Sequence, residues 1–236
     1  MNKYFTYIFL FLFISANLFA QYNGSDFSVS TNFSFNTNAK IFLSPDAESI
    51  FDQNNYFEIE DILSYSAEFR YRLNDALIFG LSLEYMQGSD KGRNLPSKQF
   101  IVKDGYELYP VELSAYYFLP FSTEDFKFYM GGGFGIYSGK RTREFGNIKF
   151  DDVDSEIGYG IQVSVGMDYM IFNQLSVRGE LRFRDPDFKI TNKYNSDRVT
   201  YEGNDYSVSQ ENITSKLNVD GITFRIGTVF HFSINQ

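Results

Sequence analysis

The chain has 236 residues, no cysteine and one histidine, and its formal net charge is -9 at pH 7. The lack of cysteine excludes disulfides, thiolate metal sites and a cysteine nucleophile. The acidic balance argues against a nucleic-acid partner, which requires a basic surface. Aromatic residues make up 19% of the chain, although the mean hydropathy is only -0.28. A helical membrane bundle would be clearly hydrophobic on average, and a disordered chain would lack these aromatics, so the composition leaves a β-rich protein.

Residues 1–20 have the layout of a secretory signal peptide. Lys3 precedes an apolar run from Tyr4 to Ile14, and small residues lead to Ala20. A run of about eleven residues is shorter than the ~17–25 residues that a membrane-spanning helix needs, although an uncleaved anchor is the alternative. We expect cleavage after Ala20, export from the cytoplasm and one mature domain of residues 21–236.

Eight segments alternate apolar and polar residues with the period of two that is typical of a strand with one apolar face. In chain order they lie at residues 27–35, 63–73, 77–85, 109–119, 126–136, 157–171, 175–183 and 222–232. Short turns around Asn74, Ser122 and Asn173 follow the second, fourth and sixth segments. The long connections are residues 37–61, 87–104, 139–153 and 185–219. This alternation predicts an all-β fold, an eight-stranded antiparallel up-and-down transmembrane β-barrel with short periplasmic turns and four long extracellular loops.

The apolar face of this barrel points either inward, as in a soluble ligand-binding barrel, or outward toward lipid. The interior of an eight-stranded barrel is only just wide enough for side chains, so it cannot enclose a face made almost wholly of large residues. The opposite face carries small residues, including Gly131, Gly133, Ser164 and Gly166, which suit a crowded interior. We therefore expect the apolar face to contact lipid.

Aromatic residues concentrate toward the ends of these segments, with aliphatic residues between them. Tyr159 and Tyr169 bracket one aliphatic stretch, and Tyr109 and Tyr117 bracket another. Such aromatic girdles lie at the membrane–water interfaces of β-barrels; the alternative is that Tyr and Phe follow β-propensity alone. The predicted girdle residues are Tyr65, Tyr71, Tyr85, Tyr109, Tyr117, Tyr159, Tyr169, Phe183, Phe224, Phe230 and Phe232.

Three segments, FYMGGGFG at 128–135, LSVRGELRF at 175–183 and FRIGTVFHF at 224–232, resemble the small OmpA/OmpX-like outer-membrane barrels of the porin family, with an outer membrane protein beta-barrel domain. The resemblance covers the whole mature chain. It implies a monomer in the outer membrane of a Gram-negative cell envelope, surrounded by membrane lipids and lipopolysaccharide and inserted by machinery that reads the last strand. The family often ends at a terminal aromatic, whereas here Ser233 to Gln236 follow Phe232.

Inward positions of the predicted strands carry acids and bases in similar numbers. The predicted interior network is Glu68, Arg70, Arg72, Glu84, Glu112, Lys127, Asp168, Arg178, Glu180, Arg182 and Arg225. Charges in a narrow barrel must pair, because removing an unpaired charge from water is costly, so we expect these side chains to plug the lumen. A selectivity filter of charged rings is the alternative, but the mixture of signs favours the plug.

The sole histidine, His231, is expected to point inward at the periplasmic end of the last strand, whereas a barrel enzyme needs its catalytic groups at the extracellular rim. We therefore predict no enzymatic activity, no cofactor and no metal site. The favoured function is a structural or surface-interaction role, with any binding through the extracellular loops. The alternatives are a small-solute porin or transporter and an accessory barrel of a secretion machine.

The first long connection is acidic, and the second is basic. The simplest interpretation is solvated loops that face lipopolysaccharide. A sharper hypothesis is adhesion, or cation bridging to lipid phosphates.

Overall fold

The computed structural model describes residues 25–93 and 100–234, and the predicted signal peptide lies outside them. This part of the chain is almost entirely antiparallel sheet, with one helical turn, α1 (Ile50–Gln53). The strands are β1 (Phe27–Phe42), β2 (Tyr56–Arg72), β3 (Leu77–Arg93), β4 (Ile101–Phe118), β5 (Phe126–Phe145), β6 (Ile148–Ser155), β7 (Gly158–Phe172), β8 (Leu175–Arg184), β9 (Asp187–Tyr194), β10 (Arg198–Tyr201), β11 (Asn204–Ser207), β12 (Ile213–Asn218) and β13 (Ile222–Phe232). Within the described ranges, no helix has the length and apolar character needed to cross a membrane.

The long strands pair with their neighbours in up-and-down order. β1 pairs with β2 along one edge and with β13 along the other. The antiparallel pairs β2–β3, β3–β4, β4–β5, β5–β7, β7–β8 and β8–β13 complete the circuit. The sheet is therefore barrel-like, and its short connections lie at one end.

Three shorter strands extend the wall at the end opposite the short turns. β6 pairs with β5 and with β9, β9 also pairs with β12, and β12 pairs with the end of β1. The hairpin of β10 and β11 forms a separate two-stranded sheet. The long connections thus contribute strands to the wall instead of lying over it as loops.

The predicted all-β antiparallel architecture is confirmed, but the predicted boundaries of the long connections are wrong. The described residues form thirteen strands rather than eight, and strand occupies much of residues 37–61, 87–104, 139–153 and 185–219. The reason is that the polarity of the two faces of the wall is reversed there. In these stretches apolar residues lie inside and polar residues outside, so the outward apolar stripe that predicts a lipid-facing strand is missing.

In β1 and β2, the side chains that point inward also change from even-numbered to odd-numbered positions. Asn36 and its register partner Ile62 are both buried, and so are the next inward pair, Ala39 and Ile59. The buried positions of β1 therefore change from even-numbered to odd-numbered residues between Asn36 and Ala39. The change occurs at the same level in both strands, so the two strands stay paired. Beyond this level, odd-numbered side chains point inward in both strands.

The outer surface divides accordingly into two parts. In the belt half, the outer face is apolar and exposed, as at Leu113 and Ile161. In the upper half, beyond it, the outer face is polar, as at Ser89 and Lys103. The belt half comprises residues 27–36, 62–72, 77–85, 109–118, 126–137, 158–172, 175–184 and 222–232, and the upper half comprises the other strand residues.

Candidate functional site in the lumen

Five carboxylates and five guanidinium groups fill the lumen of the belt half. Each of these ten residues is at most 6% exposed. They are Glu68, Glu84, Glu112, Asp168, Glu180, Arg70, Arg178, Arg182, Arg184 and Arg225. Strand alternation puts them there, because even-numbered residues face inward in β2, β3, β4, β7 and β8, and odd-numbered residues face inward in β13. The charges of this group balance, as burial requires.

Glu180 of β8 lies at the centre of the network. One of its carboxylate oxygens lies 2.8 Å from Arg182 Nη2 and 3.4 Å from Arg225 Nη1. The other lies 3.2 Å from Arg70 Nη2, and it also accepts a hydrogen bond of 2.8 Å from the Tyr129 hydroxyl. One carboxylate therefore serves three cations, which come from β2, β8 and β13.

Asp168 and Glu68 extend the network toward the short turns. Arg178 donates to both oxygens of Asp168, at 2.7 and 2.9 Å, in a bidentate pair between neighbouring strands. Its remaining Nη1 lies 2.8 Å from Glu68 across the lumen. Glu68 also lies 2.9 Å from Arg70 Nε, and it accepts a hydrogen bond of 2.6 Å from the Tyr116 hydroxyl. Bidentate, charge-assisted bonds of this kind are the strongest polar contacts a protein makes.

Glu112 and Glu84 extend it toward the upper half. Arg184 bridges them, at 3.3 Å from Glu112 and 2.9 Å from Glu84. Glu112 also pairs with Arg182, and Glu84 lies 3.3 Å from Arg225. The ion pairs are thus continuous from Asp168 at one level to Glu84 at the other.

Two tyrosine rings pack against these charges and explain two of the glycines. The Arg70 guanidinium lies 3.7 Å from the centroid of the Tyr116 ring and 4.7 Å from that of Tyr129. A Cβ at Gly131 would lie 2.4 Å from the Tyr116 ring, and one at Gly166 would lie 2.4 Å from the Tyr129 ring. Glycine at these positions therefore leaves the room that the rings occupy.

In the upper half the lumen is mainly apolar. The first apolar layer begins at the boundary with the belt half, where Ile62 and Tyr137 lie, and it contains the buried residues Ala39, Ile41, Ile59, Ile62, Met86, Tyr106, Leu108, Tyr137, Phe188, Ile190, Leu217 and Val219. A second apolar cluster at the far end contains Val102, Phe145, Ile148, Tyr194 and Val199. The inward face of β4 passes both in turn, through Leu108 and Tyr106 in the first layer and Val102 in the second.

A smaller charged cluster lies between these two apolar layers. Arg141 donates two hydrogen bonds to Asp104, at 2.9 and 3.1 Å. Arg143 Nε lies 3.0 Å from both oxygens of Asp104, and both guanidiniums lie 5.2 Å from the Phe150 ring centroid. Burial alone would raise the pKa of Asp104, but the two guanidiniums reverse this and hold it below its usual value.

The structure brings together nine of the eleven residues predicted for the interior network. The other two, Arg72 and Lys127, lie at the short-turn end, where both line a cleft of about 630 Å³. Arg184 was not among the predicted residues, although this arginine continues the two-residue spacing of Arg178, Glu180 and Arg182. The cluster of Asp104, Arg141 and Arg143 in the upper half was not predicted either. The same is true of the tyrosine hydroxyls that donate hydrogen bonds to the network carboxylates, those of Tyr116, Tyr129 and Tyr137.

The predicted girdle residues all have exposed or half-exposed side chains on the outer face. One band lies near the short turns and contains Tyr71, Tyr117, Tyr169, Phe230 and Phe232. The other lies near the upper half and contains Tyr65, Tyr85, Tyr109, Tyr159, Phe183 and Phe224. Rings of the second band meet across strands, as Tyr85 and Tyr109 do with centroids 5.4 Å apart.

His231 lies at the short-turn end of β13 and is buried. Its Nε2 lies 2.8 Å from the hydroxyl oxygen of Ser176, which is also fully buried. Neither residue is more than 4% exposed. Among the described residues, no group of three or more His, Asp and Glu side chains is arranged to hold a metal ion.

Known structures share this architecture. The outer membrane protein OprG from Pseudomonas aeruginosa superposes with a TM-score of 0.61 at 13% identity, over 89% of this chain and 97% of that one. Neisserial surface protein A has a TM-score of 0.47 at 16% identity, over 87% of this chain and 97% of that one. At such identities the likeness to OprG shows the fold alone.

No curated protein matches the chain significantly. The model of one protein family does match, over residues 7–232, and it describes an outer membrane protein beta-barrel domain. The resemblance to small outer-membrane barrels is therefore confirmed. This chain belongs to the outer membrane β-barrel domain family, and its place is the outer membrane.

Proposed function

We propose that the protein is an outer-membrane barrel with a closed lumen, and that its role is structural or a matter of surface interaction rather than conduction. In this proposal eight strands span the membrane: β1, β2, β3, β4, β5, β7, β8 and β13. The belt half lies in the bilayer, the short turns face the periplasm, and the upper half projects outside the cell. The circuit of strand pairs and the exposed apolar belt support this arrangement.

The two aromatic bands have a suitable separation for this placement. Tyr109 and Tyr117 lie about eight residues apart on β4, which is roughly 27 Å along a strand. A strand tilted by ~40° then spans about 20 Å, close to the apolar band of about 25 Å in outer-membrane barrels. We infer that these bands are the two girdles at the membrane interfaces.

The filled lumen is the observation that carries the proposal. A solute crossing the belt half would have to separate the carboxylates of Glu68, Glu112 and Glu180 from their guanidinium partners, all of them buried. Breaking one buried pair costs about 3–5 kcal/mol. Beyond the network, the solute would meet the first apolar layer of the upper half, which offers an ion no compensating contact.

Planar-bilayer recording tests the closed lumen. The full-length protein, refolded to the form that migrates differently on gels before and after boiling, is expected to give no steady conductance on the nanosiemens scale. A 16-stranded porin, which leaves an aqueous channel, serves as the positive control in the same membrane. Steady conductance from this protein would overturn the proposal and favour the small-solute porin or transporter.

We propose that the chain is cleaved after Ala20, that its last strand is read by the insertion machinery, and that it then lies as a monomer among membrane lipids and lipopolysaccharide. N-terminal sequencing of the protein from isolated outer membranes should begin at Gln21. The proposal includes no catalytic role, and hydrolysis of lipid by the purified protein would contradict it.

A further inference from the structure

The connection between β1 and β2 ends in an exposed apolar tip. Phe51 is 88% exposed and Ile50 is 71% exposed, and both belong to the single turn α1. They lie beyond the upper half, away from the belt half, which carries most of the other strongly exposed apolar residues, such as Ile161. An exposed pair of this size outside the belt needs a separate explanation.

Hydrogen bonds within the connection fold the tip into a turn. Gln53 Nε2 donates to the carbonyl oxygen of Ala47 at 2.7 Å, and Asn54 Nδ2 donates to that of Ile50 at 2.9 Å. Lys189 of β9 lies 2.5 Å from Asp46 and ties the connection to the barrel wall. A surface that is already ordered loses less conformational entropy when it binds a partner.

The charges within the connection itself are acidic, and Lys189 of β9 pairs with Asp46 and leaves Glu48 and Asp52 beside the tip. Asp52 follows Phe51 directly, Glu48 lies two residues before Ile50, and residues 41–55 contain acids but no lysine or arginine. Binding hot spots in protein interfaces commonly consist of an aromatic side chain surrounded by a polar or charged rim. We propose that this tip docks into an apolar pocket on a basic protein surface outside the cell.

The acidic residues beside the tip argue against two other kinds of binding partner. The phosphates of lipopolysaccharide and of anionic phospholipids would be repelled by Glu48 and Asp52, so the tip is not suited to insert into a membrane. Nucleic acids and sulfated polysaccharides are polyanions and are disfavoured for the same reason. Complementary charge therefore selects a cationic protein partner. The inference depends on the proposed function only in placing the upper half outside the cell.

A random 12-residue peptide library, panned on the full-length protein in zwitterionic nanodiscs, tests the proposal. Peptides that bind empty nanodiscs are removed first. The recovered peptides are expected to combine lysine or arginine with aromatic or branched aliphatic residues. Their affinity should fall at least tenfold in the variant I50S/F51S, and severalfold, with a weaker dependence on salt, in E48Q/D52N.

The variant I101S/V153S is the matched control, because it removes two other exposed apolar side chains of the upper half and should bind normally. Failure to recover any peptide that depends on Ile50 and Phe51 would overturn the inference, as would recovery of acidic peptides. Binding of phosphatidylglycerol vesicles through Phe51 would overturn it in favour of a lipid anchor. Gel mobility and conductance of the same preparations report on the barrel separately, so the failure of one proposal is distinguishable from the failure of the other.

Discussion

Strands β1 to β5 run through both the belt half and the upper half, but the two halves have opposite polarity. On β4, Glu112 points inward and Leu113 outward in the belt half, whereas Leu108 points inward and Lys103 outward in the upper half. Sheet pairing alone does not distinguish the two, since β4 pairs with β5 throughout. The difference follows from the proposed surroundings, because a wall in lipid must be apolar outside, and a wall in water can keep its apolar residues inside.

The two interiors are consequently stabilised by different forces. The belt half has large apolar residues outside, so its narrow lumen is filled with paired charges and tyrosine hydroxyls. The upper half has a lumen that is packed much like a soluble core. We expect the two halves to respond differently to substitution, and the largest effect should come from breaking a buried ion pair.

Arg182→Met tests the belt-half network. The substitution leaves Glu112 and Glu180 buried with one cation fewer, so we expect the free energy of unfolding to fall by about 3–5 kcal/mol. Equilibrium urea unfolding in lipid vesicles, followed by gel mobility before and after boiling, measures the change. Lys149→Met is the control, because its pair with Glu144 is largely exposed and should contribute less than about 1 kcal/mol. Equal effects of the two substitutions would contradict a stabilising network.

Leu113→Lys tests where the lipid begins. Leu113 is 61% exposed in the middle of the belt half, and a lysine at the bilayer midplane costs about 2–4 kcal/mol. The reciprocal change on the same strand, Lys103→Leu, lies in the upper half and should alter the free energy of unfolding by less than about 0.5 kcal/mol. Similar costs for the two changes would mean that the belt half does not mark the bilayer.

The same comparison explains how much of the fold was predictable. The outward stripe through Leu113, Val163 and Ile226 predicts the strands that we propose to lie in lipid, because a lipid environment would enforce a strict period of two. The upper half lacks that constraint. Its outward residues are polar, and β1 and β2 change face between Asn36 and Ala39, so its strands resemble loops in sequence.

The site was predictable to a similar extent. Inward charges such as Glu68 and Arg178 follow from alternation once the outer face is known. Which acid meets which base does not follow, because cross-lumen contacts such as that of Arg178 with Glu68 depend on barrel geometry. The cluster of Asp104, Arg141 and Arg143 could not be predicted for another reason. Its residues lie in stretches where the sequence predicts loops instead of strands.

Gly166→Ala tests how tightly the belt-half lumen is packed. The new methyl group would lie 2.4 Å from the ring of Tyr129, which is held in place by its hydrogen bond to Glu180. We expect a loss of about 1–3 kcal/mol, measured by the same urea titration. Gly179→Ala is the matched control on the neighbouring strand, because nothing lies within 4 Å of the added carbon, and it should be nearly neutral. A neutral Gly166→Ala would mean that the lumen has spare room.

The pH dependence that the charged cluster of the upper half confers on stability should be the smallest of these effects. The guanidiniums of Arg141 and Arg143 hold the pKa of Asp104 below its unfolded value, which is ~3.9. The stabilisation from this ionised carboxylate is therefore fully present above pH ~4 and is lost as the pH falls through the folded-state pKa. Asp104→Asn cannot titrate, so the stability difference between the wild type and D104N should narrow below pH ~4, by about 1.4 kcal/mol for each unit of pKa shift.

Urea titrations of the wild type and D104N between pH 7 and pH 2.5 measure this narrowing, because the other carboxylates titrate in both proteins and cancel in the difference. Arg143→Met removes one of the two cations that lower the pKa of Asp104. In that background the folded-state pKa lies closer to the unfolded value, so the narrowing should be smaller and should be complete at a higher pH. A difference between wild type and D104N that stays constant over the whole range would show that Asp104 is not held ionised by its arginines, and the upper half would then be stabilised by its apolar layers alone.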